Sequence, residues 1–396
     1  MTEPAVLRGK RVVLRPLRPG DAEDLAAGCA DPLTQGNLAL PSPYTLQDAR
    51  HWIEVGAPAA NAAGNWAYAF ADPDSDRLIG GGGVSRRGHG VAELGCWVAP
   101  WARDRGVGTQ AVRLLTGHAF DHGVYRLVLR TRLENIAGQR IAIAAGFTRE
   151  GIARHAGVTG AGNRYDTVVW SRLLGDEDGP SRRLLPDLPP LPGRPDAPGM
   201  PGVPGVPGVP GVPGVPAWYG ALSDGVVILH PLTAQDAADT HALRSLPEVV
   251  NTSVPPVAPD LAEVRRRCAQ APARWLAGER AEFVIRDATT GEYAGEIGLY
   301  YFEPPTQQAM IGYSLMPHSR GRGFTTRAVN LVTAWAFEIG IARVVAGTAA
   351  DNEASQRVLQ RAGFEREGYQ RARLPGPDGT RIDDIQWVRL APTIGV

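Results

Sequence analysis

The stretch RDRGVGTQAV, Arg103 to Val112, returns as RGRGFTTRAV from Arg320 to Val329. The repetition is not local. Gly95 and Gly312, Pro100 and Pro317, Asn135 and Asn352, Asp166 and Asp383, and Trp170 and Trp387 are each 217 positions apart, as are the Gly-Phe pairs at Gly146 and Gly363. Upstream the offset is 215, for Pro16 and Pro231, Asp21 and Asp236, and Gly80 and Gly295. A constant offset across so many spaced residues means that a whole domain is duplicated, with a two-residue length change between Gly80 and Gly95. Each copy must therefore bury its own core within less than half of the 396 residues.

The copies flank a stretch that cannot build such a core. Residues 176–216 are rich in proline and end in GMPGVPGVPGVPGVPGVP from Gly199. Proline removes backbone donors and glycine adds chain entropy, so a spacer of mixed turn and polyproline character is expected. Six triplets with glycine at every third place also resemble collagen, but a triple helix would need three chains. The expected organisation is a first domain over 1–175, a linker over 176–216 and a second domain over 217–396.

Both copies read alike. In the first, RVVLRPL alternates as a strand does, and Asp21 can cap a helix. Thr45 with Asp48 resembles a capping box opening a second helix through Trp52. WAYAFA, LIGGGGV and AELGCWV follow as strands of an antiparallel meander. The helix after the Gly turn carries Val112, Leu115 and Ala119 on one face and ends near Gly123. RLVLRT is a strand, Asn135 opens another helix, and FTREGIA and YDTVVWSRL close the domain as strands. The expected class is α/β, a mixed, mostly antiparallel sheet with flanking helices, in two tandem domains.

A strand that runs into a glycine turn and then a helix N-terminus makes an anion site, because unpaired N–H groups and the helix dipole both favour negative charge. Arg103-Asp104-Arg105-Gly106-Val107-Gly108 has the pattern R-x-x-G-x-G. It lacks the Lys and Ser/Thr ending of a nucleoside-triphosphate loop, and no acidic residue about 20 positions on completes a dinucleotide fold. Gly80 to Gly83 sit within a strand, where missing side chains make room for a ligand or a neighbour.

The R-x-x-G-x-G turn after a strand bearing Trp or Tyr, then N-x-x-[S/G] some 30 residues later and GF, resembles the GNAT superfamily of acetyl-CoA-dependent N-acetyltransferases. PYTLQDARHWI, Pro43 to Ile53, and YDTVVWSRL are similar to the branch holding the ribosomal-protein N-terminal acetyltransferases. The resemblance implies acetyl-CoA as acyl donor and direct attack of an amine, from a protein N-terminus or a small molecule, on the thioester. It implies that Arg103, Arg105, Gly106, Val107, Gly108 and Thr109 cradle the pyrophosphate of coenzyme A, as do Arg320, Gly321, Arg322, Gly323, Phe324, Thr325 and Thr326 in the second copy. Asn135 and Asn352 would line the same cofactor site, and backbone N–H groups near Val98 and Leu315 would stabilise the oxyanion. Glu93 would be the base and Ser355 the acid. Position 217 after Glu93 is Met310, and Gly138 stands where the second copy has Ser355. The sites have diverged, so the first half is expected to carry more turnover, or the second to be an acyl-CoA-binding sensor or scaffold. Glu296 is an alternative base in the second half, and the two copies are expected to pair as a dimer does.

Other side chains suggest less. Cys96 lies in phase with Leu94 and Val98 and is expected in packing. His118 and His122 lie a helical turn apart without a third ligand, and are expected on a solvated face, with no metal. Tyr44, Trp52 and Trp66 suit an acceptor channel or the core equally. Lys plus Arg and Asp plus Glu each total 41, which argues against nucleic acid or an anionic membrane as partner. Cys29, Cys96 and Cys268 show no CxxC spacing, and no run approaches a membrane span, so a cytoplasmic protein is expected.

Overall fold

The computed structural model describes residues 4–160, 162–189, 220–376 and 379–392. The PGV repeats lie outside the described residues. The chain forms two compact units that meet in sequence at Arg182 and Arg183.

The first unit contains β1 (Leu7–Arg8), β2 (Val13–Arg15), α1 (Ala22–Ala30), α2 (Pro32–Asn37), α3 (Leu46–His51), α4 (Ala57–Ala62), β3 (Trp66–Ala71), β4 (Leu78–Gly88) and β5 (Val91–Val98). It continues with α5 (Val107–Asp121), β6 (Arg126–Arg132), α6 (Ile136–Ala144), β7 (Thr148–Val158) and β8 (Arg164–Leu173). Its eight strands lie in the order β1-β2-β3-β4-β5-β6-β8-β7. Every neighbouring pair is antiparallel except β5 with β6.

The second unit repeats the plan with β9 (Leu222–Ser223), β10 (Val227–Pro231), α7 (Ala237–Arg244), α8 (Pro247–Val250), α9 (Leu261–Leu276), β11 (Arg280–Asp287), β12 (Tyr293–Glu303) and β13 (Gln308–Leu315). Then come α10 (Phe324–Glu338), β14 (Arg343–Ala349), α11 (Glu353–Arg361), β15 (Glu365–Pro375) and β16 (Arg381–Leu390). Here β13 and β14 are the parallel pair. The mixed, mostly antiparallel α/β architecture is the expected one.

Three local features were not expected. A short helix, α2, follows α1 and is opened by Asp31, which accepts from the Thr34 N–H. The helix capped by Thr45 and Asp48 is interrupted by a π-turn, Trp52–Gly56. Pro58 follows that turn and has no N–H to donate, so the regular ladder cannot run through it. Leu185 and Leu188 of the proline-rich stretch are buried in the second unit's core, and the Trp275 Nε1 donates to the Pro186 carbonyl at 3.0 Å. Prolines leave little chain entropy to lose, so two leucines suffice to hold this segment.

The long helices anchor each core. α5 buries Val107, Ala111, Val112, Leu115 and Ala119. α10 buries Phe324, Ala328, Val329, Val332, Trp335 and Ala336. Each buried Val, Leu or Phe contributes about 1.5–3 kcal/mol. On the opposite sheet face of the first unit, Leu25, Cys29, Ala49, Ile53, Ala69 and Leu78 form a second layer, with Trp97 and Tyr44 against it.

A buried ion pair ties the first strand to the first helix. Arg15 on β2 grips Asp21 through two bonds of 2.8 and 2.9 Å and reaches Asp76 at 2.7 Å. In the second unit His230 stands in place of Arg15, and the Asp236 carboxylate takes its guanidinium from Arg286 instead, at 3.0 Å. Arg286 Nε donates to His230 Nε2, also at 3.0 Å, which requires a neutral imidazole.

Two outcomes follow. Asp21→Ala removes the bidentate partner of the buried Arg15 and leaves it only the exposed Asp76, so the substitution should lower the stability of the first unit by about 3 kcal/mol, read as an earlier urea transition of the full chain. Burial holds the His230 imidazole below its usual value of 6.5. The unfolded chain therefore takes up that proton first, and the second unit should lose stability as pH falls below about 6.5. His230→Gln should flatten that part of the urea midpoint's pH profile.

Candidate functional site

The site is built where a parallel pair of strands comes apart. β5 pairs with β6 only from Val91 to Leu94, although β5 continues to Val98. β13 pairs with β14 only from Gln308 to Met310 and continues to Leu315. Beyond those points the strand keeps its antiparallel partner, β4 or β12, and its other edge has no ladder. Backbone N–H and C=O groups on that edge need partners from elsewhere.

The Gly turn lies just past this parting. Asp104 (φ 60°) and Gly106 (φ 73°) both adopt the left-handed region, as do Gly321 (φ 73°) and Gly323 (φ 78°). Two left-handed residues separated by one curl the chain into α5 and α10, with Gly106 and Gly323 as N-caps. A side chain at the cap would be strained there. No side chain caps either helix, and neither first turn holds an acidic residue. The first intrahelical bonds run from Gln110 N to Gly106 O and from Arg327 N to Gly323 O. The N–H groups of Val107, Gly108, Thr109, Phe324, Thr325 and Thr326 therefore stay outside the helical ladders.

Gly108 lies in the first turn of α5, and a Cβ there would meet Ile141 at 2.6 Å. The glycine permits close packing of α5 on α6. Thr325 takes that place in α10 without interrupting the helix. Phe324 and Val107 are buried and present only their backbone outward.

The arginines divide their roles. Arg103 donates to Val98 O at 3.3 Å and engages Asp31 and Thr34. Arg320 likewise donates to Leu315 O and lies 3.1 Å from Glu248. Both tie the strand end to the turn and to the short helix beyond. Arg105 is exposed, whereas Arg322 pairs with Asp287 at 2.6 Å and lies over the Phe324 ring. Arg11 was not legible as a site residue. It donates to the carbonyl of Arg105, 94 residues away in sequence, at 2.9 Å and occupies the space over Gly106.

Asn135 and Asn352 cap α6 and α11, accepting from Gly138 N at 2.9 Å and Ser355 N at 3.1 Å. The Ser355 hydroxyl lies 2.8 Å from the Tyr313 hydroxyl on β13. Burial raises the Tyr313 phenol to about 12. The first unit has Cys96 and Gly138 at these two positions, so both members of the pair are absent together. That joint change was visible in the duplicate alignment.

The two faces of β5 differ. Val98 packs toward Gly108 and α5, so Leu94 and Cys96 share that face. Burial raises the Cys96 thiol to about 12, which keeps it from serving as a thiolate. Glu93, Gly95 and Trp97 lie on the opposite face, where Trp97 packs against the α1–α3 layer. Glu93 Oε2 accepts from Arg87 at 3.0 Å, and Oε1 lies 3.8 Å from Arg130. A Cβ on Gly95 would touch nothing within 4 Å, so the floor beside Glu93 is open. The indole of Trp97 fills the space above Gly28 and Gly81, which accounts for one glycine of the Gly80–Gly83 run.

In the second unit this face is filled. Met310 replaces Glu93, and the Tyr300 ring lies across Gly298 and near Gly312. Glu296 is buried between Arg244 and Arg267, with Arg267 Nη1 at 3.8 Å, and Arg267 also binds Glu282. A carboxylate so engaged is poorly placed to serve as a base.

The remaining candidates fall elsewhere. His118 and His122 are not simply solvated: their rings lie tilted to each other at 4.2 Å and pack against Trp66, tilted at 4.6 Å and edge-on at 5.6 Å respectively. Burial lowers the His118 imidazole. Trp66 therefore belongs to the α5 side of the sheet. Trp52 is 41% exposed on the π-turn with its ring over Gly56, and Tyr44 packs on the α1–α3 layer. Among the described residues no group of three or more His, Cys, Asp or Glu is placed to hold a metal, and no helix is long and apolar enough to cross a membrane.

Comparison with known proteins agrees with this geometry. The family profile described as acetyltransferase (GNAT) domain matches residues 11–148 and again 227–365. An uncharacterized N-acetyltransferase, YoaA, of Bacillus subtilis (strain 168) is 34% identical over 88 residues, covering 22% of this chain and 50% of the relative. A probable N-acetyltransferase, YjcK, of the same organism is 36% identical over 109 residues, covering 27% and 60%. The chain thus spans only half to three-fifths of these curated relatives. Among solved structures, Mycobacterium smegmatis RimJ in complex with CoA-disulfide aligns at a TM-score of 0.40 and 24% identity, over 45% of this chain and 88% of that one. Spermidine N-acetyltransferase from Vibrio cholerae, with CoA and spermine, aligns at 0.38 and 17%, over 42% and 97%. Since the two profile matches together span well over half of its length, the chain belongs to the acetyltransferase (GNAT) family and carries that domain twice.

Proposed function

We propose that the protein is an acetyl-CoA-dependent N-acetyltransferase acting on an amine, either a protein N-terminus or a small molecule, and that the first unit does most of the work. The observation that carries this reading is the parted strand pair set directly before an uncapped helix N-terminus. One feature offers unpaired backbone groups to a pantetheine arm, and the other offers a field and N–H donors to a pyrophosphate.

The donor sites would be the backbone at Gly106, Val107, Gly108 and Thr109 with Arg105 and Arg11, and at Gly321, Gly323, Phe324, Thr325 and Thr326 with Arg322. Asn135 and Asn352 cap the helices that flank the arm. Arg103 and Arg320 hold the strand ends in place. The N–H near Val98 or Leu315 would stabilise the oxyanion.

In the first unit Glu93 accepts the proton of the acceptor ammonium, directly or through water. The freed nitrogen attacks the thioester carbon, the N–C bond forms, the nitrogen gives its second proton to water, and the C–S bond then breaks to leave the amide. The departing thiolate takes a proton from solvent in the first unit and from Ser355 in the second, where Tyr313 lies beside that hydroxyl.

A second reading holds for the second unit alone: it binds acyl-CoA and does not catalyse. Met310 and the Tyr300 ring over the glycine floor favour it.

Glu93→Gln should lower kcat with the preferred amine by about a hundredfold or more while acetyl-CoA affinity stays within about twofold, measured by thiol release and calorimetry. Gly106→Glu and Gly323→Glu place a carboxylate and a strained backbone at each anion cradle. The first substitution should abolish most turnover and the second only a minor part; equal losses would sink the asymmetry.

A further inference from the structure

The charge around Glu93 is unbalanced. In a parallel pair, residues that face each other across the register share a sheet face. Glu93 faces Val128, so Arg126, Arg130 and Arg132 of β6 lie on its side, and Arg87 follows from β4. Arg126 is matched by Glu150 at 2.7 Å. Arg132 donates to the Gly36 carbonyl at 2.8 Å, lies 4.3 Å over the Tyr165 ring, and has Glu134 at 3.9 Å. Among the described residues Glu93 alone serves both Arg87 and Arg130. One carboxylate is shared between two guanidiniums, and among the described residues one positive charge beside the open floor at Gly95 has no counterpart.

Both guanidiniums are accessible, at 59% and 39% of their side chains. Exposed ion pairs of this kind add little stability, so the group is a weak staple. The duplicate shows that its members change together. Where the first unit has Glu93, Arg87, Arg130 and Arg132, the second has Met310, Phe302, Gly347 and Ala349. Phe302 is two-thirds exposed and stacks on Tyr300. The carboxylate and its cations are lost as a set on the unit whose floor is filled.

We propose that Arg87 and Arg130 recognise an anionic group on the acceptor, so that the first unit prefers an amine bearing a carboxylate a few bonds from the nitrogen. Guanidinium matches carboxylate geometry through paired donors. In the free unit those donors face both oxygens of Glu93. An acceptor carboxylate takes the same donors, and an oxygen of Glu93 is returned to the incoming ammonium. The base is thereby released by the substrate it serves. This inference rests on reading the first unit as an acetylating one.

Free amino acids and N-terminally acidic peptides share this chemistry, and a panel separates them. The full-length chain is assayed for thiol release with acetyl-CoA on a free amino acid and its amide, and on a tetrapeptide with acidic second and third residues and its amide counterpart. At least one carboxylate-bearing acceptor should exceed its neutral partner in kcat/KM by about tenfold or more. Arg87→Gln with Arg130→Met should bring that ratio close to one, mainly through KM, with acetyl-CoA affinity as the check on folding. A preference for the amino acid alone marks a small-molecule acceptor, and one for the peptide alone marks a protein N-terminus. Acetylation without a carboxylate preference, or a preference that survives the double substitution, overturns the inference and leaves the acetyltransferase reading standing. No acetylation of any amine overturns both.

Discussion

Everything at the candidate site depends on a parallel strand pair that stops early. A ladder that ran the length of β5 would use every backbone group on that edge and leave no cleft. The pairing instead ends at Leu94 and Leu129, and in the second unit at Met310 and Val345. The edge past those residues keeps unpaired peptide groups inside the protein, a costly state unless a ligand or solvent satisfies them. The same parting sets the helix N-terminus beyond the strand end. Geometry rather than any single side chain thus defines where a thioester would lie.

Arginine does most of the polar work around that geometry. Arg103 and Arg320 bridge strand end, turn and short helix in both units, which explains why both copies keep them without any need for phosphate contact. Elsewhere the same task is solved differently. The first unit holds its entry helix with Arg15 on Asp21, and the second with Arg286 on Asp236 beside a neutral His230. The carboxylate stays and the cation arrives from a different strand. Duplicated domains tolerate such a move because the ion pair, not its source, satisfies the buried charge.

The helix-facing sides of the sheets have diverged further than the cradles. The first unit keeps an open glycine, a shared carboxylate and an indole over Gly81. The second places Glu282 and Glu296 among Arg244 and Arg267, with Tyr300 over its glycines. A buried charge network excludes an apolar or cationic guest more firmly than it invites one, since any newcomer must displace partners already engaged. The turn and the helix N-terminus have been retained, and the side chains on the Glu93 side of the sheet have changed.

Much of this was legible in the residues. The 217-residue offset established the duplication, alternation and caps located the strands and helices, and the R-x-x-G-x-G turn marked where each long helix begins. These are local or repetitive features, and local backbone preference is what a linear pattern records. The break at Trp52–Gly56, the two buried leucines at 185 and 188, and the packed His118 and His122 were missed, because each depends on what happens to pack alongside. The neighbourhoods of Glu93, Ser355 and Gly106 were hidden for the same reason. Arg11 reaches the turn across 94 residues, Arg130 reaches Glu93 through a parallel register, and Tyr313 meets Ser355 across the gap between strand and helix. Sequence alone determined that there are two copies and where each turns through glycines into its long helix. Only the tertiary structure decided which side chains surround Glu93 and Ser355, because register and the parting of two strands bring together residues that no spacing in the chain connects.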